Sequence, residues 1–357
     1  MLQFLSDRIH DYHADAFIND MAATSKSLGI LEALINAYQF NSILIPMLHK
    51  KEAISSMYIE GTQTTISDVL ENEVMPKSGD ARIMIEVNNH TRALIYGADH
   101  LRTDGFSHEF IQKLHDIMLT GLIAKGKEDT LGTYKKADNR IVNSVGTVIF
   151  TPPSHTETKA YMDELIAFMN DMNDNIHPLI KAAIIHSQFE SIHPFSDGNG
   201  RVGRLLVSLY LFKAQVINFP FFYISEAISL DKSVYYNMLT KSRTESYDEW
   251  IKYFLKKIQI QTTKSIGYID SLNKVYNETK KTVQNSINSP KFDAIIECLF
   301  TQPVLTAGYL EEKLAVSHGQ AIRYLNILEK EHILLGDDKK RGRKFYFVRV
   351  IELARGV

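Results

Sequence analysis

The sequence predicts a mainly α-helical protein with one β-hairpin and a smaller C-terminal unit, on three observations. Apolar residues recur at helical spacing through most of the 357 positions. The helical period breaks at length between Gly126 and Pro153, where β-branched residues cluster. A polar stretch ends at Ser289-Pro290, and beyond it short helices lead into a strand–loop–strand pattern.

Composition sets the bounds. Apolar residues make up 45% and charged ones 23%, ordinary for a globular chain with room for one large and one small domain. A formal charge of −2 gives no global attraction to nucleic acid or to an anionic membrane. The one cysteine, Cys298, excludes an internal disulfide, fits a core position and suits a reducing cytoplasm. The start, Met1 to Arg8, lacks the pattern of a secretory leader. No run of about 18 apolar residues occurs, so no membrane span or membrane partner is expected.

Residues 1–50 are helix-compatible scaffold, with apolar positions at Leu28, Ile30, Leu31, Leu34 and Ile35 and again from Ile43 to Leu48. From Glu52 to Gly61 a helix would set Ser56 and Glu60 four apart on one face, with Met57 one turn before Glu60. Gly61 is a natural helix end. Alone, that pattern is a capped surface helix. Thr62 to Ser78 is polar, contains Pro76 and reads as a connecting loop. Ala81 to Ala98 is helical, with Asn88, Asn89, His90 and Arg92 marking a polar face. Ser107 begins another helix striped by Phe110, Ile111, Leu114, Ile117 and Met118.

In the stretch that follows, Ile141, Val142, Val145, Val148 and Ile149 suggest short strands, and Asp138-Asn139 suggests their turn. Such an edge can accept an extended peptide through main-chain bonds, the alternative being a surface hairpin without a partner. Ser154 to Asn175 reads as a helix, and so does about His177 to Ile192. His186 lies seven residues before His193 and is expected to be packed, because no further ligands stand at metal-site spacing.

The next twelve residues, His193-Pro194-Phe195-Ser196-Asp197-Gly198-Asn199-Gly200-Arg201-Val202-Gly203-Arg204, hold the densest chemistry of the chain. They read as a polar turn leading into a helix through Leu205, Leu206, Leu209, Tyr210 and Phe212. Free N–H groups at a helix start and its dipole make an anion site. Gly198 and Gly200 allow close backbone approach, and Arg201 and Arg204 suit phosphate oxygens. Asp197 can hold a divalent cation, and His193 has the intrinsic pKa of a general base. A lone Gly-Asn-Gly would be only a turn between core helices. No Gly-x-x-x-x-Gly-Lys-Ser/Thr phosphate loop occurs.

Beyond it, Phe219-Pro220-Phe221-Phe222-Tyr223 is an apolar turn. Of the paired Tyr235 and Tyr236, a ring could stack on a nucleotide base, the alternative being that both are core. Arg243, seven beyond Tyr236, would edge the same pocket. Trp250, Ile251, Phe254 and Leu255 close this part. The C-terminal stretch shows helices at Ala294–Phe300, Leu310–Leu314 and from Ser317 to Leu328. Ile333–Leu335 and Phe345–Val348 then flank a charged loop from Asp337 to Lys344. That order resembles a winged helix-turn-helix domain. Its basic tip would be Lys339-Lys340-Arg341-Gly342-Arg343-Lys344, with His318, Gln320, Arg323 and Asn326 facing outward. Over 289–357, 11 Lys and Arg stand against 9 Asp and Glu, so DNA and a protein remain equal candidates as its partner.

The string from His193 to Arg204 resembles the signature of the Fic (filamentation induced by cAMP) family, His-x-Phe-x-Asp/Glu-Gly-Asn-Gly-Arg-x-x-Arg, at every fixed position. Ser56 to Gly61 resembles that family's inhibitory motif, Ser/Thr-x-x-x-Glu-Gly/Asn. Gly132 to Pro153 resembles its β-hairpin flap, with Lys135 where arginine is common, and the paired tyrosines resemble its base-lining pair. The resemblance implies a mainly α fold: a Fic-type helical core with a β-hairpin flap, here followed by the winged helix-turn-helix domain. The division it implies is an N-terminal helical region at 1–105 with the inhibitory helix at about 52–61, a catalytic core at 106–260, a helical linker at 261–288 and the winged helix at 289–357.

The activity implied is transfer of AMP from ATP to a Ser, Thr or Tyr hydroxyl of a protein, self-modification included. His193 would be the base and Asp197 the holder of Mg2+ or Mn2+. Gly198, Asn199, Gly200, Arg201 and Arg204 would engage phosphates, with Met57, Tyr235, Tyr236 and Arg243 around the nucleotide. Ser56, Glu60 and Gly61 would form the inhibitory element, with Glu60 on Arg204, and Glu60 could also direct water for AMP removal. Asn139, Arg140, Ile141 and Val142 would dock the target. Two other readings stay open: transfer of a different phosphate-containing group, or a nucleotide-sensing transcription regulator. Release of an inhibitory helix often depends on subunit contacts, so a homo-oligomer is compatible with this reading, and the sequence leaves the oligomeric state open.

Overall fold

Side chains cap the starts of several helices in the computed structural model, which describes residues 2–38, 41–76, 81–142, 146–220, 222–339 and 341–356. In chain order the helices are α1 (Ile18–Ala37), α2 (Asn41–Ile59), α3 (Ile66–Val74), α4 (Ala81–Thr103), α5 (His108–Leu119), α6 (Thr158–Asn170), α7 (Pro178–Ile192) and α8 (Asn199–Lys213). They continue as α9 (Ser225–Ser229), α10 (Lys232–Ser242), α11 (Asp248–Ser286), α12 (Phe292–Thr301), α13 (Ala307–Leu314), α14 (His318–Lys330) and α15 (Val348–Arg355). The strands are β1 (Ile141–Val142), β2 (Val148–Phe150), β3 (Val304–Leu305), β4 (Leu335–Gly336) and β5 (Phe345–Tyr346). Among the described residues no helix is long and apolar enough to cross a membrane.

The chain folds as two compact units, one formed by 1–32, 55–62 and 85–263, the other by 33–54, 63–84 and 264–357. The expected N-terminal region 1–105 is therefore shared between them, and the expected linker is the second half of the continuous α11.

In the first unit α7 is the central helix. It carries apolar residues on every face and is buried from Leu179 to Ile192. Pro178 at its first turn starts it, where a missing N–H costs nothing. The Trp250 indole donates to the Ala183 carbonyl at 2.7 Å, and His186 Nε2 meets the Tyr235 hydroxyl at 2.9 Å. His186 is thus packed, as the sequence suggests, and burial pushes its pKa down to about 3. Ser107 caps α5 by accepting the Phe110 N–H at 3.1 Å.

Several expectations need correction here. α6 is shorter than 154–175, because Ser154 binds the Glu157 carboxylate before it and Asp171 and Asp174 bind backbone N–H groups after it. Asn89 and His90 are buried rather than solvated, since Asn89 Nδ2 donates to the carbonyls of Met118 and Thr120. The β1–β2 pair is antiparallel with Ile141 opposite Phe150 and Val142 opposite Val148, so its turn falls after Val142 and not at Asp138-Asn139. Asp138 instead accepts the N–H of His155 at 2.8 Å. Val145 lies outside the described residues, as does Phe221 of the apolar turn.

In the second unit the stretch expected as a loop at 62–78 contains α3. Thr65 and Asp68 form a capping box at its start, and Ile66, Val69 and Leu70 are buried. Gln302 donates to the Leu70 carbonyl at 2.6 Å. The C-terminal order is α12, β3, α13, α14, β4, β5, α15, with an antiparallel sheet ordered β3-β5-β4. Two basic residues of the 337–344 loop are occupied by carboxylates: Arg343 by Glu329 at 2.7 Å and Lys344 by Glu71 at 2.6 Å. Lys340 lies outside the described residues.

Candidate functional site

The turn between α7 and α8 is forced by its own residues. A residue before proline is barred from right-handed helix, so α7 ends at His193, which takes φ 50° and ψ 58°. The His193 N–H donates to the Phe189 carbonyl at 3.0 Å and closes the helix. Gly198, the residue before α8, has φ 77°, and a Cβ there would stand 2.9 Å from Leu119, so dihedral and space both require glycine. Asn199 is buried and staples the turn, accepting the Phe195 N–H at 2.8 Å and donating to the Phe195 carbonyl at 2.9 Å. Where the sequence suggests a phosphate ligand, the Asn199 amide is spent on the turn. The free N–H groups of the first turn of α8 remain for an anion. Phe195 is fully buried, its ring stacked on His115 at 3.9 Å.

His193 keeps one ring nitrogen free to accept a proton. Its Nδ1 lies 3.4 Å from the Glu190 carbonyl. A carbonyl only accepts, so this contact assigns the proton to Nδ1 and the lone pair to Nε2. Burial pushes the His193 pKa down to about 4, with the charges of Lys135 and Arg243 acting the same way and the Glu190 carbonyl and Glu60 opposing. The ring is neutral at pH 7.

Both arginines already face carboxylates. Arg204 is buried; its Nη2 meets Glu60 Oε1 at 2.7 Å, and its Nε and Nη2 reach the Ser56 hydroxyl at 3.1 and 3.0 Å. Burial works against the Arg204 charge, and Glu60 leads the groups that more than offset it, so its pKa is raised. Arg201 Nη1 meets Glu86 Oε1 at 2.8 Å, while its Nε is buried without a partner. Asp197 is open, 69% exposed, with Gly198 N–H and Arg201 both on its Oδ1. Among the described residues no three His, Cys, Asp or Glu gather as a metal site. One open carboxylate fits a magnesium ion that takes its other ligands from phosphates and water.

The segment that resembles an inhibitory motif ends as its sequence demands. Gly61, at φ 98°, sends its N–H to the Tyr58 carbonyl at 3.1 Å, and Thr62 sends its own to Met57 at 3.1 Å. That paired pattern stops α2 with Glu60 just past its last residue. Met57 is a core side chain, 1% exposed.

Tyr235 is buried and bonded to His186, so it is a core residue and no wall of a pocket. Tyr236 is 40% exposed, and its hydroxyl donates to the Ile59 carbonyl at 3.3 Å. Arg243 caps the end of α10; its Nε donates to Ser191 Oγ at 3.1 Å and its guanidinium lies 4.2 Å from the Phe150 ring centre. Burial lowers its pKa to about 10. Of the expected docking residues, Arg140 and Val142 are exposed and Ile141 is half-buried, but the Asn139 side chain is turned to the reactive loop. Val148 and Ile149 are exposed on β2.

Sequence reasoning missed four groups. Glu86 holds Arg201, and Lys135 and His115 bond the reactive loop. Glu190, one turn before His193, is buried with Oε1 unpartnered, and burial raises its pKa to about 7. Only Lys135 sits at a motif position, the place in the flap pattern where arginine is common, and its sequence context assigns it no role. The one usable signal was the polar Glu86 within a run of otherwise apolar residues on α4.

Comparison with known proteins gives concordant results. Residues 105–211 match the Fic/DOC family and residues 18–99 match the Fic/DOC family N-terminal region. A "Probable protein adenylyltransferase" of Aquifex aeolicus is 28% identical over 180 residues, 49% of this chain and 51% of that protein. A protein adenylyltransferase of Caenorhabditis elegans is 28% identical over 153 residues, 42% of this chain and 28% of that protein. The chain thus spans about half the length of the first relative and less of the second. In fold it is similar to a Fic family protein from Desulfovibrio desulfuricans, with a TM-score of 0.61 at 20% identity over 94% of this chain and 96% of that one. A Fic domain containing signaling protein from Bacteroides thetaiotaomicron gives 0.56 at 24% identity, over 68% of this chain and 95% of its own. With a matching signature turn, two family matches that follow one another along the chain and the same fold in solved relatives, the chain belongs to the Fic/DOC family.

Proposed function

We propose that this protein is a nucleotidyltransferase that moves AMP from ATP to a hydroxyl of a protein. The observation that carries it is a neutral His193 at the end of α7, followed at the start of α8 by a buried Arg204 and a largely covered Arg201 that keeps an unused Nε donor. His193 Nε2 takes the proton of the Ser, Thr or Tyr hydroxyl, whose oxygen attacks the α-phosphorus of ATP. The bond from that phosphorus to the bridging oxygen breaks, and pyrophosphate leaves. N–H groups at the start of α8 hold the oxygens on which charge develops, and Arg201 and Arg204 hold the β- and γ-phosphates. A magnesium or manganese ion, when bound at Asp197, would neutralise phosphate charge. Tyr236, as the exposed member of its pair, is the ring offered to adenine.

Glu60 inhibits in this reading by occupying Arg204 where the γ-phosphate belongs, and in the reverse direction the same carboxylate directs water to remove AMP. The docking edge is β1–β2, with exposed Val142, Val148 and Ile149 lending main-chain and apolar contacts to an extended target segment. The order α12 to β5 supports a winged-helix reading of the C-terminal part. There the pairing of Arg343 with Glu329 and of Lys344 with Glu71 favours a protein partner over DNA, because phosphates must displace both carboxylates. A cytoplasmic setting fits the lone, buried Cys298.

Incubation with α-labelled ATP and magnesium tests the reading. Label should enter this protein or a partner, rise roughly 10- to 100-fold with Glu60→Gly, the equivalent of one charge-assisted hydrogen bond of about 1.5–3 kcal/mol, and vanish with His193→Ala. No label from any of the three, alongside sequence-specific DNA binding, would replace the enzyme by a nucleotide-sensing regulator.

A further inference from the structure

Four consecutive carbonyls of the reactive turn are held by one short segment, residues 132–139. Lys135 Nζ donates to the Ile192 carbonyl at 3.2 Å, and the Lys135 backbone N–H donates to that of Pro194 at 2.8 Å. Asn139 Nδ2 donates to the carbonyls of His193 at 3.1 Å and Phe195 at 3.2 Å. Asn139 Oδ1 accepts from Lys135 Nζ at 2.9 Å, so the two side chains brace each other. A further link runs through His115. The Gly132 N–H donates to its Nδ1 at 3.0 Å, which leaves Nε2 to donate to the Asp197 carbonyl at 3.1 Å.

The turn needs outside support. His193 sits in left-handed backbone, a conformation that costs a non-glycine residue about 1–2 kcal/mol. Its carbonyl and the next have left the helix and have no helical partner. The Lys135 ammonium is buried, and its hydrogen bonds go to an amide oxygen and a carbonyl, partners that hold position without neutralising charge. Strand β1 begins two residues after Asn139, so the segment that grips the turn also leads into the hairpin.

We propose that Lys135 and Asn139 are positioning residues of the transfer site, holding the 192–195 backbone so that His193 Nε2 faces the acceptor hydroxyl, and that strand addition at β1–β2 tightens the same grip. The inference rests on the transferase reading above for its kinetic part only. In full-length Glu60→Gly protein, Asn139→Ala and Lys135→Met should each lower kcat on the order of 100-fold with KM for ATP within about threefold, whereas Lys135→Arg stays within about threefold of the parent. NMR titration of the His193 ring supplies a readout independent of activity: in Asn139→Ala, which removes no charge, its midpoint should rise from about 4 toward 6.5, whereas Lys135→Met raises it by charge removal alone and is read by kinetics. Should the parent transfer no AMP, the kinetic comparison falls away and the Asn139→Ala titration alone decides the proposal. An unmoved midpoint in Asn139→Ala overturns the proposal. So does a uniform loss of kcat, ATP binding and melting temperature that Lys135→Arg fails to restore.

Discussion

His193 and Glu190, one turn apart at the end of α7, respond to burial in opposite directions. Burial lowers the imidazole to about 4 and raises the carboxyl to about 7. A base with a depressed pKa stays unprotonated through the neutral range, so kcat/KM should hold level from pH 8 down to about 6 and fall only as pH drops toward 4. An acid limb centred at 6.5 or above would contradict this placement of His193. The sequence made Glu60 readable, because an i, i+4 pair on a helix must share a face and both members of Ser56/Glu60 reach Arg204. It could not separate Tyr235 from Tyr236. Adjacent helical residues point about 100° apart, and only packing against His186 decides which one turns inward. Glu86 and Lys135 were illegible for a related reason: their partners lie 115 and 57 residues away, joined by tertiary packing alone.

Among the elements, α2 is held at its last turn by α10. Lys232 Nζ reaches the carbonyls of Tyr58 and Ile59 at 3.4 and 3.2 Å, beside the Tyr236 hydroxyl on the same Ile59 oxygen. A cation at a helix C-terminus contributes about 0.3–1 kcal/mol, so Lys232→Met should raise AMP transfer roughly 2- to 5-fold while Glu60 remains in place. Unchanged transfer in a folded variant would mean that Lys232 adds nothing to the hold of Arg204 and Tyr236 on the end of α2. The helices α5 and α7 were legible because their start signals, the Ser107 cap and Pro178 at the first helical position, are written in the chain. The helix α3 was hidden by its polar surface residues, although its Thr65–Asp68 capping box was present to be read. The hairpin was legible as strands but not in register, since Asp138 and Asn139 have other partners.

At the scale of the molecule, the histidines buried in the first unit make it acid-sensitive. Burial lowers His115 to about 4 and His186 to about 3, so the folded state binds fewer protons than the unfolded chain below pH 6.5. Their stabilising contribution is complete above that pH and is lost as pH falls toward 4. At pH 5 each withholds about 2 kcal/mol, which should lower the melting temperature by several degrees relative to pH 7. Calorimetry at the two values decides, and equal melting would refute it. Glu190 acts in the other direction, its share fading as pH rises through about 7. A final consequence follows from the pairing of Arg201 with Glu86 and of Arg204 with Glu60. The anion site is electrically balanced at rest and sets a threshold for occupancy. An anion with a single phosphate cannot repay two broken ion pairs, whereas a triphosphate presents enough oxygens to displace Glu60. In the transferase reading the resting site would therefore discriminate by charge number, favouring a triphosphate over inorganic phosphate in the surrounding solution.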